Sequence, residues 1–296
     1  MIFWRIIDDT LLWIAEVSKL GFDVNNEDVY YVIPEEYIEK GEFVIMRTCH
    51  GVGDWGILTA MARILKNKYP HCKVYLPSVK LLEKLFLPMK NNWSTWTNPF
   101  DNQNLVFKNN PYIDGTLDSV SGEIYHDHFR IFDSNNSLVP LVVQMLKFWR
   151  IDDTSFSDAR PELYFSQEEI DKGEKFIEDR FGGSDFGVLV ISHHHNYEDK
   201  KNKEYQEYID QYKDIPFMYY NALNEDIKYK FNRFLDIKTI KWGNIREQLY
   251  VTTKAKAAFS TQSGMTDTIS RYTKVYSYSL GPDVAENFIY GSTYIT

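Results

Sequence analysis

The sequence predicts an α/β protein built from two doubly wound, Rossmann-like domains. Its 296 residues exceed one ordinary domain, and 44% of them are hydrophobic, which is enough material for two buried cores. Predicted strands and helices alternate along the chain, and this alternation is typical of parallel sheets covered by helices. The polar stretch 152–161 contains a proline and separates the predicted domains, which we place at residues 1–155 and 156–296.

The first predicted domain opens its alternation with a buried strand at residues 43–49. A glycine-containing turn, a helix over residues 55–69 and a strand over residues 73–77 follow. This strand–turn–helix–strand unit has the length of a βαβ crossover, which packs right-handed on a parallel sheet. Farther along, the sequence predicts a polar loop at 91–104, a strand at 105–108 and a helix at 137–149.

The second predicted domain repeats the alternation. Ser166 and Glu169 have capping-box spacing and open a helix that Gly182 and Gly183 are expected to end. Strands are predicted at residues 187–192, 215–220, 237–241, 257–261 and 274–279. Helices are predicted at residues 203–212, 226–234, 244–254 and 264–272. Because ligands bind at the carboxyl ends of strands in such sheets, the candidate turns are 50–55, 193–201 and 262–267.

The first candidate turn is Gly51-Val52-Gly53-Asp54, between a predicted strand and a predicted helix. Glycines permit a positive φ and let a ligand approach the backbone closely. A helix N-terminus favours an ionised carboxylate at Asp54, which could take a proton from a sugar hydroxyl. Asp is also a common helix N-cap, so a purely structural role stays open.

The other two turns suit a phosphate ligand. The turn at residues 262–266 follows a strand and opens a helix, where free N–H groups favour a diphosphate, although a capped helix without a ligand is the alternative. His193 begins a run of three histidines that ends another strand, with Lys201 soon after. Neighbouring strand residues point to opposite faces, so the run is a poor metal site. We predict a phosphate or ribose contact, with a plain polar loop as the alternative.

Composition and charge restrict the partners. A net charge of −9 argues against a nucleic-acid partner, and only two cysteines favour a reducing compartment. Charged residues interrupt the apolar start of the chain before a signal peptide could form. Residues 11–20 predict an amphipathic helix too short to span a bilayer. We therefore expect a cytoplasmic protein with at most peripheral membrane contact, and His126 with His128 does not predict a metal site without a third ligand.

Two segments together resemble the heptosyltransferase-like family of glycosyltransferases. Residues 46–60, continuing to Tyr69-Pro70, are similar to the family's G-x-G-D turn and the helix after it. Residues 244–249 and 259–264 are similar to its closing helix, strand and Ser-Gly phosphate turn. The resemblance implies a divergent member with two facing Rossmann-like domains, the GT-B type of fold. Gln262 and Asp267 stand where the family usually has Asp and His, so the donor is expected to differ from that of a typical heptosyltransferase.

The resemblance implies an inverting, metal-independent glycosyltransferase that uses no cofactor. It would move a sugar from a nucleotide-diphosphate sugar to a hydroxyl of a glycan or glycolipid. Asp54 would be the general base. The predicted donor-binding residues are His193, Lys201, Arg246, Gln262, Ser263, Gly264, Met265, Thr266 and Asp267. The predicted acceptor-side residues are Gly51, Val52, Gly53, Trp55, His126 and His128.

Two alternative functions stay open at the level of the sequence. A nucleotide-sugar epimerase or hydrolase would share the turn at 262–266 but would turn over donor without an acceptor. A non-catalytic carbohydrate-binding protein could keep the same fold, because fold does not fix function. Trp93 and Trp96 suit sugar stacking in either case. Arg246 either faces the nucleotide or lies on a solvated helix face.

Overall fold

The computed structural model describes residues 3–7, 10–14, 35–47, 51–86, 100–120, 124–126, 141–152, 158–191, 210–221, 237–240, 244–261, 264–278 and 293–295. The helices are α1 (Glu35–Lys40), α2 (Val52–Gly56), α3 (Met61–Lys68), α4 (Val79–Phe86), α5 (Asn102–Phe107), α6 (Leu141–Phe148), α7 (Gln167–Phe181), α8 (Ile245–Thr253) and α9 (Gly264–Ile269). The strands are β1 (Phe3–Ile7), β2 (Thr10–Ile14), β3 (Glu42–Val44), β4 (Lys73–Pro77), β5 (Gly115–Leu117), β6 (Ile124–His126), β7 (Gly187–Ile191), β8 (Phe217–Asn221), β9 (Ile237–Ile240), β10 (Ala257–Thr261), β11 (Lys274–Tyr278) and β12 (Thr293–Ile295).

The larger sheet lies in the second half of the chain and is entirely parallel. Its strand order is β12-β11-β10-β7-β8-β9, so the chain starts in the middle at β7, builds outward to β9, and then returns to build outward from β10. This is the order of a doubly wound sheet, and its switch point lies between β7 and β10. The five strands predicted in this half are confirmed, and β12 adds a sixth that the sequence did not predict.

The first half of the chain contributes a smaller parallel sheet in the order β3-β4-β5. The helices α2 and α3 connect β3 to β4, which confirms the order of the predicted strand–turn–helix–strand unit. The first strand was predicted over residues 43–49 but ends at Val44, and residues 45–47 are not part of it. The helical region starts at Val52, three residues before the predicted start. Between α2 and α3 the helical turns are narrower than in an α-helix. There Leu58 N–H donates to Trp55 O and Met61 N–H to Leu58 O, so the bonds span three residues rather than four.

An antiparallel sheet includes the N-terminal segment. β1 pairs with β2, from Phe3 opposite Ile14 to Ile7 opposite Thr10, and also with β6. The amphipathic helix predicted for residues 11–20 is therefore wrong over residues 11–14, and residues 15–20 lie outside the described part of the chain. Leu, Trp and Ile fit a strand as well as a helix, and the neighbouring strand that satisfies their backbone groups decides between the two.

A second correction concerns residues 105–108, which were predicted to form a strand. Leu105–Phe107 belong to α5, where Val106 and Phe107 are buried in the core. Periodicity cannot distinguish a short apolar run in a strand from one in a buried helix. The same helix takes residues 102–104 out of the predicted polar loop, while Trp93 and Trp96 lie outside the described residues.

The remaining predicted helices are confirmed where the structure describes them. The helix α6 lies within the predicted range 137–149, and a short 3-10 helix at Asp210–Tyr212 ends the predicted range 203–212. Asn244 caps α8, its side-chain oxygen accepting from Arg246 N–H at 2.8 Å. The predicted helix at 226–234 lies outside the described residues, as do residues 153–157, where the proposed domain boundary stays a prediction.

The helix α7 has the capping box that its sequence predicts. Ser166 Oγ accepts from Glu169 N–H at 3.3 Å, and Ser166 N–H donates to the Glu169 carboxylate at 2.9 Å. Gly182 ends the helix at φ 58°, in the left-handed region where only glycine carries no steric cost. Both predicted helix boundaries are therefore confirmed.

Residues 158–166 join the two halves of the chain through the buried charge of Glu162. The Glu162 side chain is almost fully buried and accepts from Arg63 Nε of α3 at 2.7 Å and from Arg271 Nη1 of the second half at 2.6 Å. Its backbone N–H donates to Thr59 Oγ1 at 2.8 Å. The segment is thus bonded to both halves rather than connecting them loosely. No helix among the described residues has the length and apolar character needed to cross a bilayer.

Candidate functional site

The predicted catalytic turn begins at Gly51 and lies beyond β3 in the chain, separated from it by residues 45–50. Gly51 is the N-cap of α2, with extended backbone at φ −67° and ψ 156°. Asp54 is therefore the third residue of the helix, and it does not occupy the N-cap position that the structural alternative assumed. Its carboxylate bends back to accept the Gly51 N–H at 2.9 Å, which satisfies one of the free donors at the helix start.

The buried Arg47 side chain is a second hydrogen-bond donor to Asp54. Arg47 Nη2 lies 3.3 Å from Asp54 Oδ1, and the Arg47 side chain is only 1% exposed. A buried cation is costly unless an anion faces it, and Asp54 supplies that anion. The Asp54 side chain keeps 24% of its surface exposed, so the paired carboxylate is not sealed off from solvent. Sequence reasoning missed Arg47, whose one local signal is a charge at the end of an apolar strand.

The second half presents its own turn at the switch point of the larger sheet. The adjacent strands β7 and β10 run parallel and end at Ile191 and Thr261, and α9 begins at Gly264. The predicted donor residues His193, Lys201, Gln262 and Ser263 follow these strand ends in sequence but lie outside the described residues. The side chains of Thr266 and Asp267 are likewise not described, while Gly264 and Met265 are half-buried.

The two turns meet. A Cβ atom on Gly264 would overlap the backbone nitrogen of Gly53 and lie 3.0 Å from its Cα. A Cβ atom on Gly56 would overlap Thr268 Oγ1 in the same way. Helix α9 therefore packs on α2 backbone to backbone at Gly53 and through the Thr268 side chain at Gly56, and this close approach is possible because glycines stand at both contacts. The packing brings the Asp54 turn and the start of α9, each predicted separately from sequence, to one place.

Some predicted site residues occupy other surroundings. The Trp55 side chain is 0% exposed and packs edge-on against Phe107, with ring centroids 6.5 Å apart. It belongs to the core of the first half, so its side chain is not presented to an acceptor. Val52 is partly buried and packs against the same core. His126 is the last residue of β6, opposite Phe3, and neither its side chain nor His128 is described.

Arg246 lies in a buried network in this structure. It is 2% exposed, so the alternative that placed it on a solvated helix face is wrong. It donates to both Glu169 oxygens, at 2.9 and 2.8 Å, and to the carbonyls of Leu105 and Tyr164 at 2.8 and 2.6 Å. The guanidinium also stacks 4.6 Å from the Phe165 ring. These bonds connect α8 to α5 and α7, and its role in donor binding stays a prediction.

Glu169 is the anion that balances this buried charge. Hydrogen bonds from Arg246, above all, lower the pKa of Glu169 to about 2, and the Ser166 N–H and Lys108 act in the same direction against the effect of burial. Lys108 Nζ lies 3.0 Å from the carboxylate. The capping-box signal identified Glu169, but nothing local indicated its partner in α8. Among the described residues, no three His, Cys, Asp or Glu side chains are grouped as a metal site.

Comparison with solved structures adds one independent observation. The crystal structure of a family 9 glycosyl transferase from Veillonella parvula aligns with 91% of this chain and 87% of its own, at a TM-score of 0.55 and 11% identity. The chain has the fold of that glycosyltransferase. The predicted fold class, two facing Rossmann-like domains of the GT-B type, is thereby confirmed.

A second match has a lower TM-score. The Escherichia coli ADP-heptose lipopolysaccharide heptosyltransferase II aligns with 86% of this chain and 89% of its own, at a TM-score of 0.46 and 13% identity. No protein-family model and no curated protein sequence matches the chain. At these identities the similarity establishes the fold, and the chemistry has to be argued from the site.

Proposed function

We propose that this protein is an inverting, metal-independent glycosyltransferase. It moves a sugar from a nucleotide-diphosphate sugar to a hydroxyl of a glycan or glycolipid. The observation that carries the proposal is the contact between Gly53 and Gly264, because it places the Asp54 turn beside the start of α9. A structurally similar protein of the same fold is described as a glycosyl transferase of family 9, which supports the reaction class.

On the acceptor side, the reaction needs a base close to the attacking hydroxyl. The Asp54 carboxylate pairs with Arg47 and accepts from the Gly51 N–H, and it remains partly exposed. Gly51 is only partly buried and has no side chain to obstruct an approaching sugar, so a hydroxyl can come close to this end of the turn. The hydroxyl proton passes to the Asp54 carboxylate as the hydroxyl oxygen bonds to the anomeric carbon.

On the donor side, the reaction needs groups that stabilise a departing diphosphate. The anomeric C–O bond breaks and its electron pair leaves with the diphosphate, so a single displacement inverts the anomeric centre. We propose that backbone N–H groups and hydroxyls of the turn Gln262–Thr266 stabilise the negative charge of the diphosphate by donating hydrogen bonds to it. His193 and Lys201, from the segment after β7, would help. Asp267 would contact a sugar hydroxyl or a lysine. We leave Arg246 and Trp55 out of the proposed site because both side chains are buried.

Nucleotide binding tests the donor half of the proposal. Calorimetric titration with UDP, GDP, ADP, CMP and their common sugar conjugates, in the presence of a chelator, should identify one tightly bound diphosphate. Asp54→Asn should bind that diphosphate with an affinity similar to wild type, because the base lies on the acceptor side. Absence of nucleotide binding at millimolar concentration would remove the main support for a glycosyltransferase. Binding that occurs without the chelator but is lost when the chelator is present would contradict metal independence.

Transfer assays with the bound donor test the reaction itself. Asp54→Asn should lower the rate by roughly a thousandfold if its carboxylate is the general base. Asp118→Asn is a matched control, since Asp118 lies on an exposed segment beyond β5. Donor consumed without any acceptor would favour an epimerase or hydrolase of the same fold. Glycan binding without nucleotide binding would favour a carbohydrate-binding protein.

A further inference from the structure

The Arg47 side chain is buried, and its guanidinium pairs with the Asp54 carboxylate of the turn. Arg47 is 1% exposed, and it follows the buried residues Ile45 and Met46 at the end of the segment that begins with β3. Ile45 N–H still donates to Tyr75 O of β4 at 3.0 Å, so the backbone leading to Arg47 is fixed by the sheet. The backbone from which the Arg47 side chain extends is therefore held by the sheet.

The two donors to Asp54 come from different directions. Gly51 N–H reaches Oδ2 at 2.9 Å, and Arg47 Nη2 reaches Oδ1 at 3.3 Å. One bond would leave the carboxylate free to rotate about its side chain, whereas two donors on two oxygens fix both its position and its plane. Because the Arg47 side chain is buried and the Gly51 N–H belongs to the N-cap of α2, the carboxylate is oriented before any acceptor arrives, and the orientation costs nothing at the moment of reaction.

We propose that Arg47 is the positioning residue of the reaction, holding the Asp54 carboxylate on the Gly51 N–H in the orientation that accepts the acceptor's proton. The catalytic consequence rests on the function proposed above, and the geometric part does not. Arg47 touches neither substrate in this proposal. Its effect on the reaction passes through Asp54 alone.

The geometric part is tested without substrate. The chain has 15 glycines, so protein labelled with ¹⁵N at glycine gives a spectrum simple enough to follow the Gly51 amide, which Gly51→Ala identifies by its loss. The Gly51 resonance should shift in Arg47→Met and in Asp54→Asn, and return most of the way towards its wild-type position in Arg47→Lys. Arg180→Met, an exposed position at the end of α7, should leave it unchanged. An unmoved Gly51 resonance in Arg47→Met would overturn the proposal.

The catalytic part is tested by a double-mutant cycle on transfer. Arg47→Met should lower kcat by about a hundredfold, with the donor KM nearly unchanged, because a misplaced base slows the chemistry without weakening donor binding. Arg47→Lys should recover a large part of the loss. In the Asp54→Asn background, Arg47→Met should have no further effect on kcat.

The outcomes separate this inference from the proposed function. If Arg47→Met lowers kcat by the same factor in the Asp54→Asn background as in wild type, Arg47 acts independently of Asp54. If kcat of Arg47→Met equals that of wild type, the orientation of the Asp54 carboxylate does not matter. Either result overturns the positioning role while leaving the transferase intact. If wild type transfers no sugar from any donor, the proposed function fails, and the Gly51 resonance still decides whether Arg47 holds Asp54.

Discussion

Gly264 lies against the backbone of Gly53, so close that a Cβ atom on Gly264 would overlap the Gly53 nitrogen and lie 3.0 Å from its Cα. The obstructing atoms belong to the backbone, which cannot turn aside as a long side chain can. The Gly53 turn starts a helix of the first half, and Gly264 starts a helix of the second. The relative position of the two predicted functional turns therefore depends on the absence of a side chain at residue 264.

The first prediction is that Gly264→Ala destabilises the protein. Alanine favours a helix over glycine by about 1 kcal/mol, but the overlap with Gly53 should cost more, for a net loss of about 1–2 kcal/mol. Urea denaturation would measure it. Gly115→Ala is the matched control, because its Cβ would meet the Tyr75 ring at an ordinary 3.9 Å. Equal midpoints for Gly264→Ala and wild type would contradict the close packing of α2 on α9.

The second prediction concerns the neighbouring contact between Gly56 and Thr268. A Cβ on Gly56 would overlap Thr268 Oγ1 and lie 2.9 Å from its Cγ2. Gly56→Ala should therefore destabilise the protein, and Thr268→Ala in the same chain should recover part of the loss by removing both atoms. We expect a coupling energy of about 1–2 kcal/mol in the double-mutant cycle. Additive effects would show that the two residues do not meet. Thr268→Ala alone should cost a little, since Thr268 Oγ1 donates to Gly264 O at 2.6 Å.

The third prediction concerns stability in acid. The pKa of Glu169, ordinarily near 4.5, is lowered to about 2 in the folded protein, chiefly by hydrogen bonds from Arg246. A lowered folded pKa stabilises the protein above pH 4.5, and this contribution is lost as the pH falls towards 2. The full contribution is about 3 kcal/mol, of which about 2 kcal/mol should be lost between about pH 6 and about pH 3.

Denaturation at the two pH values would check this. Glu169→Gln should lower stability at about pH 6 and should then lose less than wild type on acidification. Glu168→Gln is a close control, because Glu168 precedes Glu169 on the same helix but pairs with Lys172 on the surface. A Glu169→Gln profile parallel to that of wild type would show that the Arg246 pair does not control the titration.

The fourth prediction concerns coupling between the two halves. Glu162 accepts from Arg63 in the first half and from Arg271 in the second. Burial and the hydrogen bond to Glu162 raise the pKa of Tyr164, so its hydroxyl also remains a donor to this carboxylate at neutral pH. Glu162→Gln should cost roughly 2–3 kcal/mol, because charge-assisted hydrogen bonds to two cations are weakened.

The measurement is whether the halves still unfold together. Six of the seven tryptophans precede residue 150, so fluorescence reports the first half, and hydrogen exchange of β7 and β10 reports the second. The two probes should coincide in wild type and separate in Glu162→Gln. Glu174→Gln is the control, since Glu174 contacts only Tyr250 and Lys254 of the second half among the bonds described. Coincident transitions in Glu162→Gln would contradict the bridging role.

Local patterns in the sequence determined most of the elements. The capping box of Ser166 and Glu169, the glycines that end α7 and five of the six strands of the larger sheet were predictable, because capping and strand patterns act over a few residues. The turns at Gly51 and Gly264 were recognisable for the same reason. Where local evidence was balanced, as at residues 11–14 and 105–107, the predictions were wrong.

Only the tertiary structure decided which residues meet. Arg47 pairs with Asp54, Arg246 with Glu169, and Gly264 with Gly53, and no local pattern relates the members of the last two pairs. The strand order of the larger sheet is likewise set by packing across the fold. Sequence periodicity records which face of an element is apolar, but it does not record which distant element covers that face. The sequence therefore determined the separate turns of the candidate site, and the packing of α2 on α9 made them one site.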